Sequence, residues 1–498
     1  MDVVGSTRLA QWIGGRQRLQ VIVLLASVLA LDGADKATVG AIAAPLKSAL
    51  HIGNIQIGLL VTASTAVGAV TTLPLGALVD RAHRVRLLTV AMLLWSAAMV
   101  ASGFAESYTM LLVTRLLLGG VVAAAAPAIS SLTGDFFPAF ERGRIWGYLL
   151  AGELVGSALG LAMSGTIAGW LSWRAAFWLM GALGFVLAVL FGRCLAEPER
   201  GGMARLTPDE SVAGAHDGVS IIEAVDQAGH IQPSPAARRQ PDPGRLSFGP
   251  ALRYILSIRT NVILILASAL GYFFFTGLRS FGVVLMSGKF GFEQSAASLI
   301  TVGLGMGSII GTLIAGRLAD RLIANGYLSA RILVPAVAFL LCAAFLIPGV
   351  LATSLWITGP VFFISAASLG ATNPALDAAR LDIMHSQVWG RGESVRTALR
   401  YVFEAIAPLA FGYLSTLLGD ASGSPAARHT AQQGVGGLVW TFVAMSGALV
   451  MAGVILFFAR RSYPRDVANA LAAERASESD RRAPGEAGVA SAGTSPRP

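Results

Sequence analysis

The feature that most constrains this chain is a series of apolar stretches, each about as long as a bilayer is thick. An α-helix rises about 1.5 Å per residue, so about 20 mostly apolar residues cross a hydrocarbon core of about 30 Å. Six stretches of that kind lie at 19–41, 55–79, 86–104, 109–133, 144–168 and 173–195. Six more lie at 260–287, 293–319, 329–349, 353–377, 394–418 and 435–459. Charged residues make up only 13% of the chain, where a soluble domain carries about 25%. So little charge cannot cover a surface in water, and lipid must be much of the solvent. The sequence predicts an all-α integral membrane protein with twelve transmembrane helices.

The loops give an orientation. Arg81, Arg84 and Arg86, Arg142 and Arg144, Arg317 and Arg321, and Arg391 and Arg396 fall on one side. The N-terminal arm and Arg460, Arg461 and Arg465 join them. The opposite loops hold only Lys47, Arg174, Lys289 and Arg428. Positive charge marks the cytoplasmic side, so both termini are expected there, in a bacterial inner membrane. The three lysines against 34 arginines fit a GC-rich bacterial genome. The basic start followed by a long apolar run reads as an uncleaved first helix, since no small-residue cleavage site ends it. The expected units are an arm over 1–18, a six-helix bundle over 19–195, a linker over 196–258, a second bundle over 259–460, and a disordered tail over 461–498. The linker holds Pro233-Ser234-Pro235 and Pro241-Asp242-Pro243, which predicts flexibility. Its end, Phe248 to Ile258, reads equally as an interfacial helix or a plain lead-in.

Several functions are excluded. The net charge of +9 is spread in short clusters between spans, so nucleic acid is not a partner. Cys194 and Cys342 stand far apart, which gives no metal-ligand spacing. No nucleophile elbow, zinc-protease or phosphate-loop motif appears. Neither an enzyme nor a cofactor is expected, and a gradient rather than ATP supplies the drive.

The two halves repeat each other in order. Gly76-x-Leu78-x-Asp80-Arg81 returns as Gly316-x-Leu318-x-Asp320-Arg321. Pro127 precedes Asp135 as Pro374 precedes Asp382, and Arg142-Gly143 returns as Arg391-Gly392. A duplicated six-helix unit explains this, and two such units related about the membrane normal form the major facilitator architecture.

Gly76-x-Leu78-x-Asp80-Arg81-x-x-Arg84 resembles the signature loop of the major facilitator superfamily, with His83 where the pattern has Gly. Asp35-Lys36-Ala37-Thr38-Val39 and Thr114-Arg115-x-x-x-Gly119 resemble, more narrowly, motifs of Spinster-like lipid transporters. Family members often carry a proton-coupling Glu seven residues after that Arg, where this chain has Val122. The resemblance implies a monomeric secondary transporter, with a small-molecule or lipid substrate and protons as possible partners.

Charges inside spans are the candidate site residues, because each costs about 2.5–3.5 kcal/mol on insertion scales. Asp32, Asp35 and Lys36 share one helix face. Lys36 can pair with Asp32, leaving Asp35 for Arg115. These four are the expected ion-coupling centre, with Asp32 the candidate for the missing carboxylate. A permanent ion pair that only holds two helices together is the alternative. Tyr272, Arg279, Asn373, Asp377, Glu153 and Glu404 are the expected substrate-cavity residues. Arg279 suits an anionic head, and the neighbouring Phe run either covers an acyl chain or is ordinary packing. Gly76, Asp80, Arg81, Arg84, Glu141, Arg144, Asp320 and Arg321 are expected to latch a cytoplasmic gate, by analogy with the family. The leading reading is an alternating-access carrier of an amphiphilic or anionic molecule such as a lysophospholipid. A drug or metabolite efflux antiporter and a non-transporting membrane sensor are the rivals.

Overall fold

The computed structural model describes residues 15–52, 54–200, 231, 233–234, 246–291, 294–421 and 431–490. The arm before residue 15, most of the linker and Arg428 lie outside them. The described residues form α-helices joined by short turns. In the first half these are α1 (Arg16–Ala41), α2 (Ala43–Leu50), α3 (Asn54–Val79), α4 (Arg84–Gly103), α5 (Tyr108–Val122), α6 (Ala125–Phe136), α7 (Arg142–Trp170) and α8 (Trp173–Cys194). In the second half they are α9 (Phe248–Ser257), α10 (Arg259–Phe290), α11 (Gln294–Ala324), α12 (Ala330–Leu351), α13 (Leu355–Gly370), α14 (Asn373–Asp382), α15 (Trp389–Ala421) and α16 (Ala431–Ala490).

Ten helical segments among the described residues are long and apolar enough to cross a membrane. The fold is all-α and multi-pass. Serines cap two of the helices: Ser107 accepts from the Met110 N–H and Ser172 from the Ala175 N–H, each at 3.2 Å. Such caps satisfy amides that a helix start leaves free.

Helix pairing repeats between the halves. α1 packs on α7, α4 on α8 and α3 on α5. In the same order, α10 packs on α15, α12 on α16 and α11 on α13. The seam between α1 and α7 is glycine-lined. A Cβ on Gly152 would lie 2.9 Å from the Ala26 methyl, and one on Gly160 would lie 2.5 Å from Ala34 Cα. Small residues let helix backbones touch where no hydrophobic drive exists between helices in lipid. The halves meet through α3 against α15 and α7 against α11.

Expected spans four and ten are each broken into two helices, α5–α6 and α13–α14. Proline explains both breaks. Pro127 and Pro374 lack the N–H that would bond the carbonyl four residues earlier, namely Ala123 and Gly370. Thr72 donates to the Ala123 oxygen at 3.2 Å, and Thr312 donates to the Gly370 oxygen at 2.9 Å. The duplication thus extends to the threonine that heals each kink. The carbonyl freed by Pro374 thus already accepts one hydrogen bond, from Thr312.

The sequence predicts a disordered tail from 461, but α16 continues through it to Ala490. Tyr463, Val467, Ala470 and Ala473 recur at helical spacing and are buried against the bundle. The Tyr463 hydroxyl donates to Asp382 at 2.7 Å, and Glu474 accepts from the Ser386 N–H at 3.1 Å. Low overall hydropathy hid this stripe, because alanine contributes little to it.

Candidate functional site

Two polar regions stand out, one at the basic end of the molecule and one midway along the helices. The central region begins on α1. Lys36 Nζ lies 2.6 Å from Asp32, one turn away, and Arg115 of α5 donates to Asp35 at 3.0 Å. Arg115 is buried and also donates to Ser102 Oγ at 3.0 Å, while its guanidinium stacks 4.9 Å from the Phe177 ring. These partners hold the Arg115 fork in one orientation and offset the loss of water around it. A cavity of about 50 Å³ is lined by Asp32, Asp35, Lys36, Arg115, Val122 and Tyr401. Val122 therefore lines the same cavity as these charges. Asp32 Oδ1 is buried with no hydrogen-bond partner among the described residues, which leaves an acceptor open on that wall.

The second half contributes the facing wall. Arg400 of α15 lies 4.5 Å from the Tyr272 ring and 5.1 Å from the Tyr401 ring. Its Nε is 3.2 Å from Glu404, within ion-pair distance but without hydrogen-bond geometry. Glu153 of α7 sits within electrostatic reach of Lys36, Asp32, Arg400 and Glu404. Arg279 is exposed and reaches the Lys36 carbonyl at 3.5 Å. Asp32, Asp35, Lys36, Arg115, Tyr272, Arg279, Glu153 and Glu404 are thus brought into one neighbourhood. Asp377 is buried and paired to Arg380, which also lies 3.1 Å from Glu393, and it stays within electrostatic reach of Arg400 and Tyr272. Of the Phe run, Phe273 and Phe274 pack on Phe411, and Phe274 also meets Phe442. Those two rings are core material, and Tyr272 alone of the three turns towards Arg400.

At the basic end each half closes on the other by the same device. Asp80, at the end of α3, accepts from the Gly390 N–H at 2.8 Å, from the Arg391 N–H at 3.1 Å and from Arg391 Nε at 2.7 Å. Asp320, near the end of α11, accepts from the Arg144 N–H at 2.7 Å and from Arg331 at 2.9 Å. Each carboxylate thus sits on the N-terminus of a helix from the opposite half, α15 or α7. Free amides and the helix dipole both favour negative charge there. Burial pushes Asp80 up to about 6, against the lowering effect of Arg391. Glycine makes the approach possible: a Cβ on Gly316 would overlap the Gly143 carbonyl, and one on Gly76 would overlap Ser394.

Some expected latch residues stand elsewhere. Arg84 is buried within the first half, bonded to Asp135, to Ser131 at 2.9 Å and to Glu197 at 2.8 Å. Arg81 and Arg321 are exposed, and their side chains make no hydrogen bond or ion pair among the described residues. Glu141 binds Arg18 and, at 2.6 Å, Arg144. Sequence reasoning missed Arg391, Arg331 and Asp382. Asp382 binds Arg331 and lies 3.3 Å from Arg142, so it links the two halves. The repeat of Asp135 with Asp382, and of Arg142-Gly143 with Arg391-Gly392, carried the available signal.

A profile of the Major Facilitator Superfamily matches residues 24–392. The chain belongs to that superfamily. Its members are transport proteins rather than enzymes, and this chain is one of them. It is 25% identical over 186 residues to the uncharacterized transporter YybO of Bacillus subtilis (strain 168), an alignment covering 37% of this chain and 43% of that protein. It is 23% identical over 337 residues to the probable galactarate/D-glucarate transporter GarP of Escherichia coli (strain K12), covering 63% of this chain and 69% of GarP. Its fold is shared with the inward-facing, unoccupied crystal structure of a bacterial homologue of the human lysosomal transporter Spinster. There the TM-score is 0.57 and identity 19%, over 90% of this chain and 98% of that one. At that identity the likeness is one of fold.

Proposed function

We propose that this protein is a monomeric secondary transporter of the bacterial inner membrane, moving an organic anion by alternating access. In this reading α1 and α11 complete twelve spans in two six-helix bundles, over 19–195 and 259–460, joined by the 196–258 linker. α1 carries five charged residues, too many for a simple apolar criterion, and its charges pair inward. The basic end is cytoplasmic by the loop asymmetry, and both termini lie there.

The observation that carries the reading is two ion pairs, the buried Asp35–Arg115 and the half-buried Asp32–Lys36, on the wall of one central cavity. Intramembrane charges facing a cavity mark substrate and ion paths. Arg115 and Asp35 form a pair that a proton on Asp35 would weaken. Asp32, with one oxygen open, is the second proton acceptor. Arg279, Tyr272, Glu153 and Glu404 contribute to substrate binding, and Arg279 is the exposed cation for an anionic group. The latch made by Asp80 and Asp320 closes the cytoplasmic end, while the Spinster homologue captured inward-facing represents the opposite state of the same fold.

An amphiphilic anion such as a lysophospholipid is the first candidate substrate, and a sugar diacid like those named for GarP is the second. The test is uptake into proteoliposomes of labelled lysophospholipid and labelled glucarate, with and without an imposed pH gradient. Gradient-dependent uptake of either, lost in Asp35→Asn, supports proton coupling through this site. Uptake by Asp35→Asn that still follows the gradient would remove Asp35 from the coupling.

A further inference from the structure

The basic end of the second half carries four arginines that have no part in the substrate cavity or the latch. Arg259 opens α10, and Arg460, Arg461 and Arg465 lie on α16 where its apolar stretch ends. All four are exposed, and none of their guanidinium groups has a hydrogen-bonded or ionic partner among the described residues. They converge on one cavity of about 1100 Å³, whose wall also holds Ser462, Asp466 and Asn469. Asp466 is the one acidic group there, and it is engaged by the Thr260 N–H at 3.3 Å. Four cations against one occupied carboxylate leave an electrostatic vacancy for an anion.

The neighbouring surface says what kind of anion. A second groove of about 530 Å³ runs between α10 and α16 and is lined by Leu256, Val262, Leu266, Ile455 and Phe458. Arg259 and Phe458 line both spaces, so the basic cavity and the apolar groove are continuous. Leu256, Leu266 and Phe458 are exposed apolar side chains. A charged head beside an apolar channel, at the level where a membrane helix meets water, matches a phospholipid and not a soluble ion. Basic pockets between transmembrane helices recognise acidic lipid headgroups through the same chemistry, and arginine binds phosphodiesters with a planar, weakly hydrated fork.

We infer that this cleft between α10 and α16 is a binding site for an anionic phospholipid of the surrounding leaflet, with its phosphate on Arg259, Arg460, Arg461 and Arg465 and an acyl chain along Leu266 and Phe458. This site is distinct from the central cavity, and its test does not depend on the transported substrate.

The experiment is native mass spectrometry of the full chain in mild detergent, titrated with phosphatidylglycerol or phosphatidylcholine. The expected result is a saturable phosphatidylglycerol adduct, with phosphatidylcholine at least tenfold weaker. R460Q/R461Q should weaken the adduct by about 30-fold, from the contribution of two arginines near an acidic lipid. R460K/R461K, which keeps the charge, should retain most of it. R86Q/R193Q removes two exposed arginines at the same end of the first half and should leave it unchanged. Equal losses in R460Q/R461Q and R86Q/R193Q would overturn the site in favour of diffuse attraction. Equal binding of the two lipids would overturn it as well. Competition by soluble glycerol phosphate at the same concentration as the lipid would show a free-anion site and refute the role of the groove.

Discussion

Gly316→Ala probes the latch where its geometry is tightest. An added Cβ would lie 2.7 Å from the Gly143 carbonyl carbon and 3.1 Å from Arg144 Cα, and it would overlap the Gly143 oxygen. All three are backbone atoms of α7, so no side-chain rotation relieves the overlap. Ordinary van der Waals contact begins near 3.4 Å, and α7 and α11 must part to reach it. The 2.7 Å bond from the Arg144 N–H to Asp320 lies beside this contact and lengthens as they part. Overpacking costs about 1–3 kcal/mol, and a lost bond to a charged acceptor costs about 1.5–3 kcal/mol. Even about 2 kcal/mol multiplies the fraction open at the basic end by about 30. The assay is maleimide labelling of Ala378→Cys in a background with Cys194 and Cys342 changed to Ser. Ala378 is fully buried among core residues of the first half, so it reports separation of the halves. Gly316→Ala should raise its labelling rate at least tenfold. Gly305→Ala, on the same helix with nothing within 4 Å of its Cβ, should not change it. An unchanged rate in Gly316→Ala would refute the claim that this seam closes the basic end.

Three further outcomes are expected. Asp80 is pushed up to about 6 in the closed latch and returns towards 3.8 when opened to water, so the closed state takes up the proton more tightly. Its added closure is complete below about pH 4 and is lost as pH rises through about 6. Labelling of Ala378→Cys, taken relative to the unfolded chain at each pH, should therefore slow between pH 7 and pH 5, and Asp80→Asn should lessen that dependence; faster relative labelling in acid would contradict the assignment. Val122→Glu places a protonatable group on the wall shared with Asp32 and Arg115, and uptake should come to depend more steeply on an imposed pH gradient. Tyr463→Phe removes a 2.7 Å bond to Asp382 and should lower stability by about 1.5 kcal/mol, read as a lower melting temperature in detergent. Truncation after Ser462 should lower it further, and an unchanged melting temperature would deny the tail a structural role.

Much of this architecture was legible because membrane spans announce themselves by length and because duplication writes each landmark twice. The pairing of Lys36 with Asp32 followed from helical spacing, since both partners lie on one helix. The latch was only half legible. Asp80 and Asp320 stood out as repeated acids, but their partners are helix N-termini from the opposite half, and no local pattern names a backbone amide as a ligand. Arg84 stands in the signature loop yet turns into its own half, because Asp135 and Glu197 offer it two carboxylates there. Thr72 and Thr312 were invisible because their role exists only once a proline on another helix frees a carbonyl. The tail was misjudged because its buried stripe, Tyr463, Val467, Ala470 and Ala473, is short and half alanine.

The central claim is that the basic end and the cavity open in turn. Single cysteines at Ala378, behind the latch, and at Val39, on the cavity wall, can be labelled from opposite sides of right-side-out and inverted vesicles. Alternating access requires reciprocal change: Gly316→Ala raises labelling of Ala378→Cys from the basic side and lowers labelling of Val39→Cys from the other. Simultaneous increases at both positions, or changes at one with none at the other, would contradict alternating access in this protein.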